Sequence, residues 1–164
     1  MKQKFIDQNH GRIILVNSEG HRFAVFGLKM DDLNWRRRHF SGLKGYGSAK
    51  TAQLLSMIKF KEYFEGTGVT INAMHPGNVK TQMGEIERNG RLYLFMKRKF
   101  INQAARNPEV SAKALYYLGA SKEIEGVSGK FFNLTTEEIP SPPALHKKMA
   151  DKLWEVSIDL GGLE

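Results

Sequence analysis

Residues 12–17, RIILVN, form a short apolar run rich in β-branched side chains, and residues 69–74, VTINAM, form a second. Runs of this length without polar alternation are typical of strands that are buried on both faces, as in a parallel sheet. A third run follows at residues 129–134, GKFFNL. We therefore predict three strands at the centre of the fold.

Helical patterns fill the intervals between these runs. Apolar side chains recur along one broad stripe through residues 44–64, and Gly66 and Gly68 end that helix. Asn107 and Pro108 are typical of an N-cap followed by a first helical turn. Further helices are predicted at 84–101, 107–121 and 144–156, and residues 1–10 are predicted as the end of a helix capped by Gly11.

Strands that alternate with helices indicate an α/β fold with right-handed crossovers. The order of elements predicts a doubly wound parallel sheet of three strands with their helices. We expect residues 1–164 to form a single domain.

Composition limits the class of protein. The chain has 164 residues, of which 41% are hydrophobic and 26% are charged, as in ordinary globular domains. No apolar run approaches the roughly 20 residues that a spanning helix needs, and the first residues lack the pattern of a signal peptide. The absence of cysteine excludes disulfides and thiolate metal sites. We expect a cytoplasmic protein.

The net charge of +8 suggests attraction to phosphate. Basic runs stand at residues 36–39 and 97–99, but solvated loops and helix faces are the more common explanation of such runs. Because the chain lacks zinc-finger spacing and RNA-binding aromatic patterns, we expect no nucleic-acid partner. The five histidines show no ligand spacing, so we predict no metal site.

The motif with the clearest chemistry is YGSAK at residues 46–50, which puts Tyr46 and Lys50 on one helical face. A phenol that lies beside an ammonium group has a lowered pKa, which makes it a usable general acid or base. Ser18, just past the first strand, is placed to donate a hydrogen bond to a carbonyl oxygen that gains negative charge. The four-residue spacing alone is also common on helix surfaces.

Several segments in order resemble the short-chain dehydrogenase/reductase family, in its retinol-dehydrogenase-like branch. Residues 12–18 resemble the family's fifth strand, which ends in a catalytic serine, although Asn17 stands where a serine is common. YGSAK matches the active-site tyrosine and lysine. HPGNVKT at residues 75–81 resembles the Pro-Gly-x-Val-x-Thr segment after the sixth strand. The match continues through the segments at 40–44, 108–112 and 126–132.

The resemblance implies roles for individual residues. Tyr46 would exchange a proton with the substrate oxygen, Lys50 would assist it and bond the nicotinamide ribose, and Ser18 would steady the carbonyl. The cofactor would be NAD or NADP, and hydride would move between it and a lipophilic alcohol, ketone or aldehyde. The resemblance assigns the surroundings of the nicotinamide to Tyr46, Lys50, Pro76, Gly77, Val79 and Thr81.

The resemblance also implies segments that these 164 residues lack. Family members open with a strand and a Thr-Gly-x-x-x-Gly-x-Gly turn that holds the pyrophosphate. We therefore expect a partial Rossmann-like fold, the C-terminal portion of the family's fold without its N-terminal nucleotide-binding half. In such a fold the first strand becomes an exposed edge. Residues 83–107 are a candidate substrate lid; contact of this basic segment with a membrane surface is the alternative, and we expect the lid.

Two functions stay open. The first is an oxidoreductase fragment whose own activity is undecided, with Tyr46 as proton donor or acceptor aided by Lys50 and Ser18. The second is a catalytically silent truncated module that binds a partner through its exposed helices and sheet edge. Expected protein partners are a second copy or a complementing N-terminal half.

Overall fold

The structure, a computed structural model, describes residues 2–79 and 107–163. Its helices and strands are α1 (Lys2–Gln8), β1 (Gly11–Val16), α2 (Gly42–Tyr63), β2 (Val69–His75), α3 (Pro108–Ala120), β3 (Phe131–Asn133), β4 (Thr136–Glu138) and α4 (Lys147–Gly161). Short 3₁₀ turns occupy Glu19–Phe23, Met30–Asp32, Lys122–Ile124 and Pro142–Leu145. The helix predicted at 84–101 lies outside the described residues, as does the candidate lid except for residue 107.

The described strands form one sheet in the order β1-β2-β3-β4. The first three are parallel, so the predicted α/β fold and its three strands are confirmed. β4 runs antiparallel to β3, which makes the sheet mixed rather than wholly parallel. The prediction missed β4 because its three residues, Thr136, Glu137 and Glu138, are polar and carry no strand signal.

Burial differs sharply between the two long strands. All seven residues of β2 are buried, as predicted for a central strand. β1 pairs only with β2 among the described residues, so it lies at the edge of the sheet, as expected. Its residues are half-buried and Val16 is 47% exposed, although Ile13 and Leu15 pack against the core on one face of the sheet and Ile14 packs against the core on the other.

Helices cover both faces of the sheet. Because side chains alternate along a strand, Ile71 and Ala73 of β2 pack towards α2, while Met74 packs towards α3. α4 packs on α2 and buries Leu55 together with Leu153. On that side of the sheet, α2 lies between the sheet and α4.

The helix ends follow local chemistry. Asn107 caps α3 by accepting from the Glu109 amide at 3.1 Å, and Pro108 is the first helical residue, as predicted. α1 ends differently from the prediction. Asn9 takes the left-handed conformation there, with φ at 44°, and Gly11 begins β1. Asparagine tolerates this conformation, which explains why a glycine is not needed.

A buried histidine holds the loop after β1 in place. The Ser141 amide donates to His21 Nε2 at 3.1 Å, so Nε2 is the acceptor and Nδ1 carries the proton that is donated to the Ser18 carbonyl at 2.8 Å. The ring also meets Phe131 edge-on, with centroids 5.1 Å apart. Burial lowers the pKa of His21 from 6.5, so the neutral ring is the folded form. This ring joins the loop, the sheet and the segment before α4.

Loss of a core side chain on α2 tests the layered packing. Leu54 is 1% exposed between α2 and the sheet, so we expect Leu54→Ala to lower the free energy of unfolding by about 2–5 kcal/mol. Leu160→Ala is the matched control, because Leu160 is 75% exposed and should change the unfolding free energy little. Urea denaturation measures both; equal effects would contradict the packing.

Acid should weaken the fold through His21. Its folded pKa lies below the unfolded value near 6.5, so the stability that it contributes is complete above pH 6.5 and is lost as the pH falls through the lowered pKa. Burial lowers the pKa of His75 as well, and Glu19 and Glu138 oppose both shifts. We expect the urea concentration at the unfolding midpoint to decrease as the pH is lowered from 7.5 to 5.

His21→Gln should lower the urea midpoint at pH 7.5 and flatten its dependence on pH. His39→Gln, which changes an exposed histidine, should keep the wild-type dependence of the urea midpoint on pH. If the urea midpoint of His21→Gln depended on pH as in the wild type, this ring would not be the group that titrates.

Candidate active site

Two strands deliver side chains to the same edge of the sheet. β1 and β2 are parallel and in register from Gly11 opposite Val69 to Val16 opposite Met74, so their carboxyl ends meet. The pairing extends one residue further, where the Asn17 amide donates to the Met74 carbonyl at 2.7 Å. Ser18 and the Pro-Gly turn after β2 therefore start from neighbouring positions.

Ser18 begins the 3₁₀ turn Glu19–Phe23. Its backbone is extended, and its Oγ accepts from the Gly20 amide at 3.0 Å, as an N-cap does. That bond uses the oxygen as an acceptor, so the hydroxyl proton can still be donated. The side chain is half-buried at the carboxyl edge.

Tyr46 lies against the same turn. A Cβ placed on Gly20 would come 2.7 Å from Cδ1 of the Tyr46 ring and 3.3 Å from Ser18 Oγ, so both groups line the same glycine. Tyr46 is 45% exposed, so this corner of the molecule is open to solvent. Gly47 next to it is buried, and a Cβ there would lie 3.0 Å from the Gly20 carbonyl oxygen. Two glycines thus allow α2 and the turn to approach closely.

Lys50 lies one helical turn beyond Tyr46 on the same face of α2, as its spacing predicts. Its Nζ donates to the Val16 carbonyl at 3.1 Å, at the end of β1. The same nitrogen is 5.9 Å from the centroid of the Tyr46 ring. The structure therefore brings the ammonium group, the phenol ring and the end of β1 together.

Asn17 connects these groups through contacts that no sequence pattern predicts. Its Oδ1 accepts from the Ser18 amide at 2.8 Å. Its Nδ2 donates to the Lys50 carbonyl at 3.0 Å and to Gln53 Oε1 at 2.8 Å. The residue is 3% exposed, so its amide is a buried link between β1 and the middle of α2. Only its departure from the family's serine marked it in the sequence.

The turn after β2 contains three of the four remaining predicted residues, Pro76, Gly77 and Val79. Gly77 has φ at 77°, a left-handed conformation that favours glycine, and the Ser111 hydroxyl of α3 donates to the Pro76 carbonyl. Val79 is half-buried. Thr81 lies outside the described residues.

The chemistry that this corner can perform is proton transfer beside a donor. The Tyr46 ring and the Ser18 hydroxyl flank Gly20, and the Lys50 ammonium group lies 5.9 Å from the centroid of that ring. Within residues 2–79 and 107–163 no group of three His, Asp or Glu side chains could hold a metal ion. The same residues contain no helix that is long and apolar enough to cross a bilayer.

Curated relatives resemble nearly the whole chain. It is 34% identical to mouse retinol dehydrogenase 13 over 154 residues and to human retinol dehydrogenase 14 over 155 residues, matches that cover 93% of the chain. A Brassica napus protein, the chloroplastic short-chain dehydrogenase TIC 32 B, is 32% identical over 92% of the chain. The matches cover 46%, 44% and 47% of those relatives, so the chain spans about half their length. No protein-family model matches the chain.

Solved structures share the fold. An uncharacterised protein from Mycobacterium paratuberculosis superposes with a TM-score of 0.61 at 23% identity, over 92% of the chain and 50% of that protein. An NADPH-bound carbonyl reductase from chicken fatty liver superposes with a TM-score of 0.53 at 18% identity, over 85% of the chain and 48% of the reductase. In sequence, the chain therefore resembles proteins of the short-chain dehydrogenase/reductase family over about half of their length.

Proposed function

We propose that the chain supplies the proton-transfer and nicotinamide-contacting part of an NAD(P)-dependent oxidoreductase. One observation carries the proposal: the Tyr46 ring and the Ser18 hydroxyl flank Gly20, and Lys50 lies one turn along the same helical face. The names of the sequence relatives, retinol dehydrogenases among them, support a reaction on an alcohol or carbonyl group.

In this proposal each side chain has one task. Tyr46 gives a proton to the substrate oxygen in reduction and takes it back in oxidation. Lys50 stabilises the negative charge that remains on the phenol oxygen after the proton has left. Ser18 donates a hydrogen bond from its hydroxyl group to the same substrate oxygen and so holds the carbonyl beside the phenol.

The residues present fit one end of a nicotinamide cofactor. Lys50 and Tyr46 border the carboxyl edge of the parallel strands, and the Pro76–Gly77 turn continues that edge at the end of β2. Ligands of open α/β sheets bind at this edge. When it is bound, the cofactor supplies or accepts hydride. The sequence contains no Thr-Gly-x-x-x-Gly-x-Gly segment, so the family-type pyrophosphate site is not among these residues.

A lipophilic substrate is the finer part of the proposal. The sequence of the candidate lid at 83–107 alternates basic and apolar residues and includes Leu92, Phe95, Met96 and Phe100. In the family this position shapes the substrate pocket, so these side chains favour a hydrophobic alcohol, ketone or aldehyde.

The position of β1 favours a second candidate function. β1 lies at the edge of the described sheet with Val16 47% exposed, and such an edge can pair with a strand of another chain. In this alternative the chain is a catalytically silent module that binds a partner, either a complementing N-terminal half or a second copy.

Removal of one hydroxyl tests the proton-transfer role. We expect Tyr46→Phe to reduce turnover of a lipophilic aldehyde with NADPH by about 10²–10⁴-fold, the range that a positioned general acid contributes. Turnover is followed by NADPH absorbance, with the chain alone and mixed with the N-terminal half of a related retinol dehydrogenase. Tyr116→Phe on α3 is the matched control and should leave turnover unchanged, because Tyr116 is 76% exposed. Full activity in Tyr46→Phe would refute the proposal.

A methyl group on Gly20 tests the geometry without altering a reactive group. The added Cβ would push the Tyr46 ring away from Ser18, so we expect Gly20→Ala to reduce turnover in the same assay by at least about tenfold. Gly119→Ala is the control, since its Cβ would meet Ile14 Cδ1 at an ordinary 3.7 Å. If both variants kept wild-type turnover, the packing of Tyr46 on Gly20 would have no bearing on the reaction.

A further inference from the structure

Two apolar side chains project from the long loop between β1 and α2. A tight turn, closed by the Gly27 amide donating to the Ala24 carbonyl at 2.8 Å, presents Val25 and Phe26 to solvent. Val25 is 68% exposed and Phe26 is 95% exposed. Ala24 and Leu28 on either side are buried, so the turn is anchored at both ends. The fold therefore holds this apolar corner in a fixed place.

The turn borders a hollow of about 440 Å³ that lies apart from the candidate active site. Phe23, Phe26 and Trp35 supply its apolar wall. Lys44 and Ser48 line it from α2, on the face opposite Tyr46 and Lys50. This volume falls within the roughly 300–1,000 Å³ of small-molecule sites.

The rim of the hollow is basic. Lys29, Arg38, His39 and Lys44 line it. Neither Lys29 nor Lys44 forms an ion pair within residues 2–79 and 107–163, so both ammonium groups can bind an anion. Lys44 lies in the first turn of α2, where the Ser41 side chain makes no capping hydrogen bond, so the helix terminus adds positive potential on this side.

The far wall is ordered by its own contacts. Arg38 stacks over the Trp35 ring, 3.7 Å from the centroid, and Phe40 meets that ring edge-on. Asp32 accepts from the amides of Arg36 and Arg37, which holds Trp35 in a left-handed conformation at φ 54°. The tryptophan is therefore fixed at the hollow before any ligand arrives.

We propose that this hollow binds a single-chain anionic amphiphile, with its carboxylate or phosphate head at Lys29 and Lys44 and its apolar tail on Phe23, Val25 and Phe26. Binding would cover the exposed apolar corner and neutralise unpaired charge in one step.

Charge favours this occupant over the chain itself. The chain carries a net charge of +8, so a second copy would bring like charge to a basic rim. The chain's own residues 80–106 contain seven Lys or Arg and two Glu, and like charge opposes their binding as well. An anionic ligand meets no such cost.

Tryptophan fluorescence can test binding at this position. The chain has two tryptophans, so in Trp154→Phe the signal comes from Trp35 alone. We expect monomeric dodecyl phosphate to change that signal with one-to-one saturation, which calorimetry on the wild-type chain should reproduce. Dodecyl maltoside should bind at least about tenfold more weakly, equivalent to about 1.4 kcal/mol, and inorganic phosphate should give no saturation at the same concentrations.

Paired variants locate the site. We expect Lys29→Gln with Lys44→Gln, and separately Val25→Ser with Phe26→Ser, to weaken dodecyl phosphate binding at least about tenfold. The control pair, Lys122→Gln with Lys148→Gln, removes two exposed charges elsewhere and should have no effect. Equal binding of the neutral detergent, or unchanged binding in both hollow variants, would overturn the proposal.

Binding to lipid vesicles distinguishes a site for a monomeric ligand from a site for a membrane surface. Binding to phosphatidylcholine–phosphatidylserine vesicles without any response to monomeric dodecyl phosphate would also overturn the proposal and assign the corner to a membrane instead. None of the altered side chains belongs to the Ser18–Tyr46–Lys50 corner, so failure here leaves the proposed oxidoreductase function standing.

Discussion

The buried amide of Asn17 is the interaction on which the candidate site depends. Its Oδ1 accepts a hydrogen bond from the Ser18 amide, and its Nδ2 donates to the Lys50 carbonyl and to Gln53 Oε1. Disturbing a buried amide with three partners is costly, since each lost hydrogen bond leaves a buried polar group without a partner. The end of β1 and the middle of α2 are therefore fixed relative to each other, and Ser18 and Tyr46 with them.

Close approach of backbones then sets the shape of the corner. Gly20 and Gly47 allow the 3₁₀ turn and α2 to touch, and the Tyr46 ring rests on the first of them. His21 secures the other side of the same turn through Ser18 and Ser141. Hydrogen bonds hold the backbone of this corner, while the Tyr46 ring stays open to solvent, as a side chain that contacts a substrate must be.

Local signals made part of this structure predictable. The β-branched run of β2, the apolar stripe of α2 and the Asn107–Pro108 start of α3 each act within a few residues, so the sequence predicted them. The spacing of Tyr46 and Lys50 predicted their shared face for the same reason. β4 is too short and polar to carry a pattern, and the exposure of β1 depends on which strands lie beside it. The contacts of Asn17, Gly20 and His21 join segments 26 to 120 residues apart, which periodicity cannot detect.

The proposed function requires this corner to contact the nicotinamide end of the cofactor with residues of its own. Saturation-transfer NMR of NADP⁺ mixed with the purified chain tests it most directly, because the method reports which ligand protons lie against the protein. We expect strong saturation of the nicotinamide ring protons and weak saturation of the adenine protons, since the sequence has no segment of the family's pyrophosphate-binding type. Equal saturation of both rings, or none at the nicotinamide, would contradict it.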